Sequence, residues 1–325
     1  MGTYKGIQGY SVQSLASDPP AAQSVGQLWY NSGSNVWKIS TEGAGAWASA
    51  GSLNVQRYRF SGGFGTATTA VMVGGIGVPG YAPQTTVEEY NGSSWTALTG
   101  MPAGTADCSS IGTPTAGMTV AGNSPGVSNK TQLWNGASWS VGNTLPWSAE
   151  RVGSTGTQSS ALATGGGGLP GYTANSAEWN GTSWTLGNAF PVAASNLSMC
   201  GTQTAGLGFG GLNSAPGTGT YDYDGVNWSV NPATMATTRG EAGYSTLGTN
   251  TAAMVVDGAP SSATKATEQF NGTAWTEVAD VSTGRSSLGS CGTTASMMIA
   301  CGSPNTKVAE EWADPVYSIK TVTTS

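Results

Sequence analysis

The chain contains no histidine. That removes Ser-His-Asp and Cys-His catalysis, and it removes His-ligated zinc, copper or iron. Charge is scarce as well: 9% of residues are charged, where about 25% is usual. The 11 basic residues are scattered singly and the net charge is −6. A phosphate-binding face needs clustered Lys and Arg, so nucleic acid is not an expected partner. No apolar run approaches the ~18 residues of a membrane span, and the opening residues lack the apolar stretch of a secretory leader. Neither a P-loop nor a dinucleotide fingerprint occurs in a strand–helix context, and no cofactor is expected. Cysteine is limited to Cys108, Cys200, Cys291 and Cys301. They have no close metal-ligand spacing; Cys108, Cys200 and Cys291 read as small buried residues near a crowded axis, and a Cys291–Cys301 disulfide is the disfavoured alternative. Glu88-Glu89 and Glu310-Glu311 are adjacent carboxylates, but neighbours on a strand face opposite ways and cannot act as one glycosidase pair. Asp222 and Asp224 alternate on one strand and could hold a calcium ion with loop carbonyls; no metal is expected.

What is abundant is glycine, 50 of 325 residues, and it falls at fixed phase. Asn91-Gly92-Ser93-Ser94-Trp95 returns as Asn135-Gly136…Trp139, Asn180-Gly181…Trp184, Asp224-Gly225…Trp228 and Asn271-Gly272…Trp275, at steps of 44, 45, 44 and 47. A second phrase, Gly-Thr, recurs at Gly65, Gly112, Gly156, Gly201, Gly248 and Gly292. Each is followed by a short apolar run, glycines, a variable loop and an alternating strand. A period in the forties made of β-type residues predicts an all-β chain, a β-propeller with one four-stranded blade per repeat. Six units predict six blades. The sixth, Val308 to Trp312, lacks its own Asn-Gly-x-x-Trp, whereas Trp47 stands 18 residues before Gly65, much as Trp95 stands 17 before Gly112. Residues 46–50 are therefore expected to supply the last strand and close the ring. Tyr317–Val322 is a rival for that place, and a seventh, composite blade is the alternative.

Residues 1–45 read as a separate docking segment and 46–325 as the propeller. Within the first, 27–39 predicts a hairpin in which aromatic and aliphatic positions flank a Ser/Gly/Asn turn. A lone hairpin is marginal in water, so Trp29, Tyr30 and Trp37 are candidate docking residues.

With strands a to d counted outward from the axis, the a–b and c–d turns share one face. That face is short and repetitive. The b–c and d–a loops share the other, which varies in length and content, and binding residues concentrate on loops held by a rigid scaffold. Val78-Pro79-Gly80-Tyr81 and Leu169-Pro170-Gly171-Tyr172 are parallel phrases there, and Trp147 follows Leu145-Pro146 in a d–a loop. Aromatic rings stack on sugar faces while amides and hydroxyls bond sugar hydroxyls. Tyr81, Tyr172 and Trp147, with Lys130 and Asn213 on neighbouring variable loops, are the candidate glycan- or receptor-binding residues. The repeated tryptophans serve the blades.

A glycine doublet (Gly74-Gly75, Gly166-Gly167, Gly210-Gly211), then Tyr or Trp, then Trp five residues later (Tyr90/Trp95, Trp134/Trp139, Trp179/Trp184), resembles the kelch repeat over about residues 46–312. The doublet is degraded at Ala121-Gly122, Asp257-Gly258 and Cys301-Gly302. The repeat also occurs in galactose oxidase, but that copper chemistry needs histidines. Gly26-Gln27-Leu28-Trp29-Tyr30-Asn31-Ser32, Ala46-Trp47-Ala48-Ser49 and the ending Lys320–Ser325 resemble kelch-like proteins of tailed, marine-type bacteriophages. The resemblance implies a non-enzymatic virion protein, a tail-fibre or appendage adhesin. Its N-terminal segment would dock to other virion proteins and its loops would meet a host surface glycan or receptor, as a monomer or a homo-oligomer. A purely architectural tail or capsid protein is the alternative, and a polysaccharide-degrading propeller a further one.

Overall fold

The computed structural model describes residues 12–60, 62–78, 80–168, 171–213, 217–258, 263–304, 306–314 and 317–323. The chain is all-β, with one short 3-10 helix at Ala21–Gln23 among the described residues. It divides into two units, Trp47–Ala313 and a second made of Met1–Ala46 with Asp314–Ser325.

The larger unit is a succession of four-stranded antiparallel sheets, the arrangement expected of a β-propeller. The first comprises Gly63–Thr66, Thr69–Val73, Val87–Tyr90 and Trp95–Ala97. The second to fifth repeat this in chain order, beginning at Ser109, Gly153, Ser195 and Gly243. The sixth joins Gly289–Gly292, Ser296–Ala300 and Ala309–Ala313 to Ala46–Ala50. Strand a of each sheet touches strand a of the next, and strand a of the sixth touches that of the first.

The Asn-Gly phrase makes the c–d turn as its chemistry dictates. Asn91 Oδ1 accepts the N–H groups of Ser93 and Ser94, and Asn135, Asn180, Asp224 and Asn271 do the same. The glycine in each turn has φ between +89° and +94°, which favours glycine. A Cβ on Gly136 would lie 3.3 Å from Thr115 of the a–b turn, so the two turn families do share a face. The doublets are equally explicable. Both members have positive φ in all six sheets, the third sheet's pair being Gly165-Gly166 and not the expected Gly166-Gly167, with Ala121, Asp257 and Cys301 at 57–60° where other sheets use glycine. Only the second member is always glycine. On Gly122 a Cβ would lie 2.7 Å from the Ala106 carbonyl oxygen.

The aromatic that ends strand c stacks on the strand-d tryptophan in every sheet. Ring centroids are 5.1 Å apart for Tyr90/Trp95, 5.3 Å for Trp134/Trp139 and Trp179/Trp184, 4.9 Å for Tyr223/Trp228 and 5.2 Å for Phe270/Trp275. Trp47 and Trp312 make the sixth pair at 5.6 Å. Each strand-d indole also needs an acceptor. Trp184, Trp228, Trp275 and Trp47 donate to the hydroxyls of Thr131, Ser176, Thr220 and Thr267, each three residues before the strand-c aromatic of the preceding sheet. Where that position is Val87 or Ala309 there is no hydroxyl. Trp139 and Trp95 then turn to the carbonyls of Thr99 and Gly51.

In the smaller unit, Leu28–Asn31 and Val36–Glu42 form the expected hairpin, registered Tyr30↔Trp37 and Trp29↔Lys38. Ser14–Leu15 flanks one side. Tyr317–Thr321 flanks the other. The C-terminal tail, read from sequence as part of the propeller region, thus belongs to this sheet.

Candidate recognition surface

Tyr81 stands on the b–c loop of the first sheet, 67% exposed, at φ +50°. Its N–H is fixed to the Gly77 carbonyl. Tyr172, on the b–c loop of the third sheet, is 46% exposed. A Cβ on Gly167 would lie 3.5 Å from Ser195 and 3.6 Å from the Tyr172 ring, which places Tyr172 beside the loop that enters the fourth sheet. There Asn213 is exposed on the edge of a cleft of about 180 Å³. Phe190, Ala194, Leu197 and Tyr221 also line that cleft. Lys130 is half-buried, its Nζ 3.5 Å from Ser124 Oγ. Tyr172 and Asn213 come from adjacent sheets; Tyr81 stands two sheets away from Tyr172.

Trp147 has a different place. It is half-buried against the core of the second and third sheets, and its indole donates to the Gly165 carbonyl at 3.1 Å. Gly165 is the first member of that sheet's doublet. In three other sheets an arginine donates to the same carbonyl: Arg57 to Gly74, Arg239 to Asp257 and Arg285 to Cys301. Trp147 therefore braces the doublet and is not displayed with the tyrosines.

Those arginines expose a rule that the sequence spacing did not reveal. Each is buried and ion-paired with the strand-c residue two places before the aromatic, Arg57 to Glu88 at 2.6 Å, Arg239 to Glu268 at 2.8 Å and Arg285 to Glu310 at 2.6 Å. In the second sheet the same two positions hold Thr105 and Gln132, bonded at 3.1 Å. In the third they hold Ala149 and Ala177, both buried. Charge appears on both sides or on neither, because a buried charge without its partner is strongly destabilising. Glu88 and Glu310 are thus interior ion-pair partners.

Asp257 lies beside this system. It is buried, its carboxylate oxygens lack hydrogen-bond partners, and Arg285 Nε is 4.0 Å away. Burial pushes its carboxyl up to about 7. The folded chain then keeps a proton that the unfolded chain releases above about 4. Its contribution is present at low pH and is lost as pH rises from about 4 to about 7. Asp257→Asn should flatten that slope and stabilise the protein at pH 8 by on the order of 2–4 kcal/mol, read by urea unfolding.

At the common centre of the first strands, one residue per sheet adopts left-handed backbone before strand a or, for Asn196, at its start: Arg59, Asp107, Arg151, Asn196, Glu241 and Ser287, φ 50–60°. Backbone bonds link them in sequence, Asp107 N–H to Arg59 O (2.9 Å), Arg151 to Asp107 (2.7 Å), Asn196 to Arg151 (2.8 Å) and Ser287 to Glu241 (2.9 Å). Arg59 and Arg151 pair with Asp107 and Glu150, and Ser287 Oγ donates to Glu241 at 2.6 Å. Burial raises the Asp107 carboxyl against the pull of Arg151 and Arg59. Below them Tyr244 fills the centre, its hydroxyl beside Ser109 of the second sheet. The space left next to Arg151, Asn196 and Glu241 is about 30 Å³, room for about one water. Two arginines and three carboxylates, Asp107, Glu150 and Glu241, thus converge here, with both arginines paired to Asp107 and Glu150. A polar residue five to seven places before each Gly-Thr phrase was the available sequence signal.

All four cysteines are free and buried. Cys200 and Cys291 face carbonyls of Thr249 and Thr66, and burial pushes Cys108 up to about 12, so their thiols are unreactive. Asp222 accepts from Asn231 and Asp224 caps its own turn. No cluster of metal-binding side chains occurs among the described residues.

In the terminal sheet the alternation of the strand separates the aromatics. Trp29 is buried, 2% exposed, and its indole donates to Asp18, which also accepts from Asn31. Tyr30 and Trp37 share the opposite face edge to face at 5.5 Å, Trp37 42% exposed. Trp29 holds this unit together, and the outward pair is Tyr30 with Trp37.

Comparison with known proteins gives this chain no family: no protein-family model matches it, and no curated protein matches it.

Proposed function

We propose that residues 47–313, closed by strand Ala46–Ala50, form a six-bladed kelch-like propeller that serves as a non-enzymatic recognition module of a virion appendage. Its b–c and d–a loops meet a host surface glycan or receptor, and the terminal sheet docks to other virion proteins. The observation that carries the recognition reading is the display of Tyr81 and Tyr172. Both are large rings held out on loops of one face, with the Asn213 cleft beside the second. The closed ring is supported by the cyclic contacts of the strands a and by the Trp47/Trp312 stack. The virion setting rests on the resemblance of the terminal phrases to phage structural proteins. A purely architectural role has one observation in its favour, the outward Tyr30/Trp37 pair with exposed Leu28.

Tyr81→Ala and Tyr172→Ala should leave the urea midpoint within about 0.5 kcal/mol of the parent. Each should weaken binding of the purified chain to host-surface polysaccharide about tenfold or more. Retained binding in the double variant would remove this face from recognition. Mass spectrometry of purified particles tests the virion setting, and absence of the chain's peptides would refute it.

A further inference from the structure

Positive charge is scattered singly along the sequence, but the fold gathers it on one face. Eight of the 11 basic residues lie in the larger unit. Arg57, Arg239 and Arg285 are buried in ion pairs. The others, Arg59, Lys130, Arg151, Lys265 and Lys307, all stand on the b–c/d–a side. The a–b and c–d turns contain no lysine or arginine. Asp224 lies in such a turn, and Glu89, Glu178, Asp222 and Glu311 come one place before the strand-c aromatic. That side therefore carries carboxylates alone.

The cations of the loop face are of two kinds. Arg59 and Arg151 sit at the axis and are paired with Asp107 and Glu150. The lysines make no ion pair among the described residues. Lys265 and Lys307 are exposed on the b–c loops of the fifth and sixth sheets. Lys307 Nζ reaches the Asn54 carbonyl at 2.6 Å, and Lys130 Nζ reaches Ser124 of its own b–c loop. Neither contact supplies a counter-charge. Around the ring, the fifth, sixth, first and second sheets follow one another. Their b–c sides present, in that order, Lys265, Lys307, Tyr81 and Lys130. Exposed Asp280, on the loop leaving the fifth sheet, is the one carboxylate of that arc outside the axial cluster and the core.

An ammonium group without a counter-charge attracts anions and steers their approach, and salt weakens the effect. A neutral glycan would use Tyr81 and none of the three lysines. A small anion would meet one of them. A polynucleotide calls for a denser array of cations. A sugar chain with an anion on each repeat meets them all, and Tyr81 can stack on a ring between them. We infer that the loop face binds an acidic polysaccharide, with carboxylate or phosphate on its repeating unit, along the arc of Lys265, Lys307, Tyr81 and Lys130. This rests on the recognition reading above and adds the charge of the ligand.

The test is biolayer interferometry on the full chain with polygalacturonate, its methyl ester and poly(glycerol phosphate). At least one of the two polyanions should bind, and the neutral ester should bind about tenfold more weakly than polygalacturonate if carboxylate is the group read. Binding of poly(glycerol phosphate) alone assigns phosphate. Lys265→Gln/Lys307→Gln should weaken the bound polyanion about tenfold and flatten its salt dependence. Lys38→Gln/Lys320→Gln removes as much charge from the terminal sheet and should leave binding unchanged. Urea melts confirm that the variants fold. The inference is overturned if neither polyanion binds, if the ester binds as well as polygalacturonate, or if both lysine variants behave alike. The recognition reading fails separately. If Tyr81→Ala/Tyr172→Ala loses host polysaccharide while Lys265→Gln/Lys307→Gln keeps it, the face reads a neutral ligand and only the charge assignment falls.

Discussion

Arg239→Ala is expected to lower the unfolding free energy by about 3–5 kcal/mol. The guanidinium is 1% exposed, bonds the carbonyls of Asp257 and Ala266, and pairs with Glu268. Glu268 in turn accepts the N–H groups of Ala236 and Thr237. Removing the arginine leaves a buried carboxylate with two backbone donors and no counter-charge. Glu268→Ala strands the arginine in the same way. The double variant should lose much less than the sum of the two, because the third sheet folds with Ala149 and Ala177 at these positions. A double-mutant cycle by urea unfolding measures the coupling. Additive losses would show that the pair acts as two independent contacts.

Trp179→Ala should cost about 3–5 kcal/mol. The side chain is 1% exposed, stacks on Trp184 and donates to the Gln158 carbonyl at 2.8 Å. Alanine empties the contact between strands c and d and leaves that carbonyl without its donor. Trp179→Phe should recover more than half of the loss, since Phe270 fills the equivalent place in the fifth sheet and stacks on Trp275. The phenylalanine variant retains most of the apolar area and forfeits the hydrogen bond, worth about 0.5–1.5 kcal/mol. Equal losses for the two variants would mean that the indole N–H, and not the ring area, carries the effect.

What could be read from residues was whatever the chain states locally and repeats. Asn-Gly fixes a turn through one side chain and one backbone angle, so it was visible at each occurrence. Trp47 could be placed by phase alone, and the Trp47/Trp312 stack agrees with that placement. The Arg–Glu pairs were not visible, because Arg57 and Glu88 are brought together by tertiary structure across an intervening hairpin. Trp147 looked like a display residue because a proline and a loop surround it; only the Gly165 carbonyl reveals its role. Trp29 and Tyr30 are adjacent in sequence and equally aromatic, and strand alternation alone decides which one is buried.

The partners of the early strands have a bearing on how the protein is made. Ala46–Ala50 shares a sheet with Ala309–Ala313, and Val36–Glu42 pairs with Tyr317–Thr321. A ribosome delivers the chain from its N-terminus. Sheets one to five can assemble in order of emergence, each from neighbouring strands. Ala46–Ala50 and the outer edge of Val36–Glu42 cannot find their partners until residues 309–321 have been synthesised, and they wait with Trp47 and one edge of the hairpin uncovered. Such long-range pairings are slow and expose strand edges meanwhile. Chaperone demand during expression should therefore concentrate on the first fifty residues and lapse only when the last repeat appears.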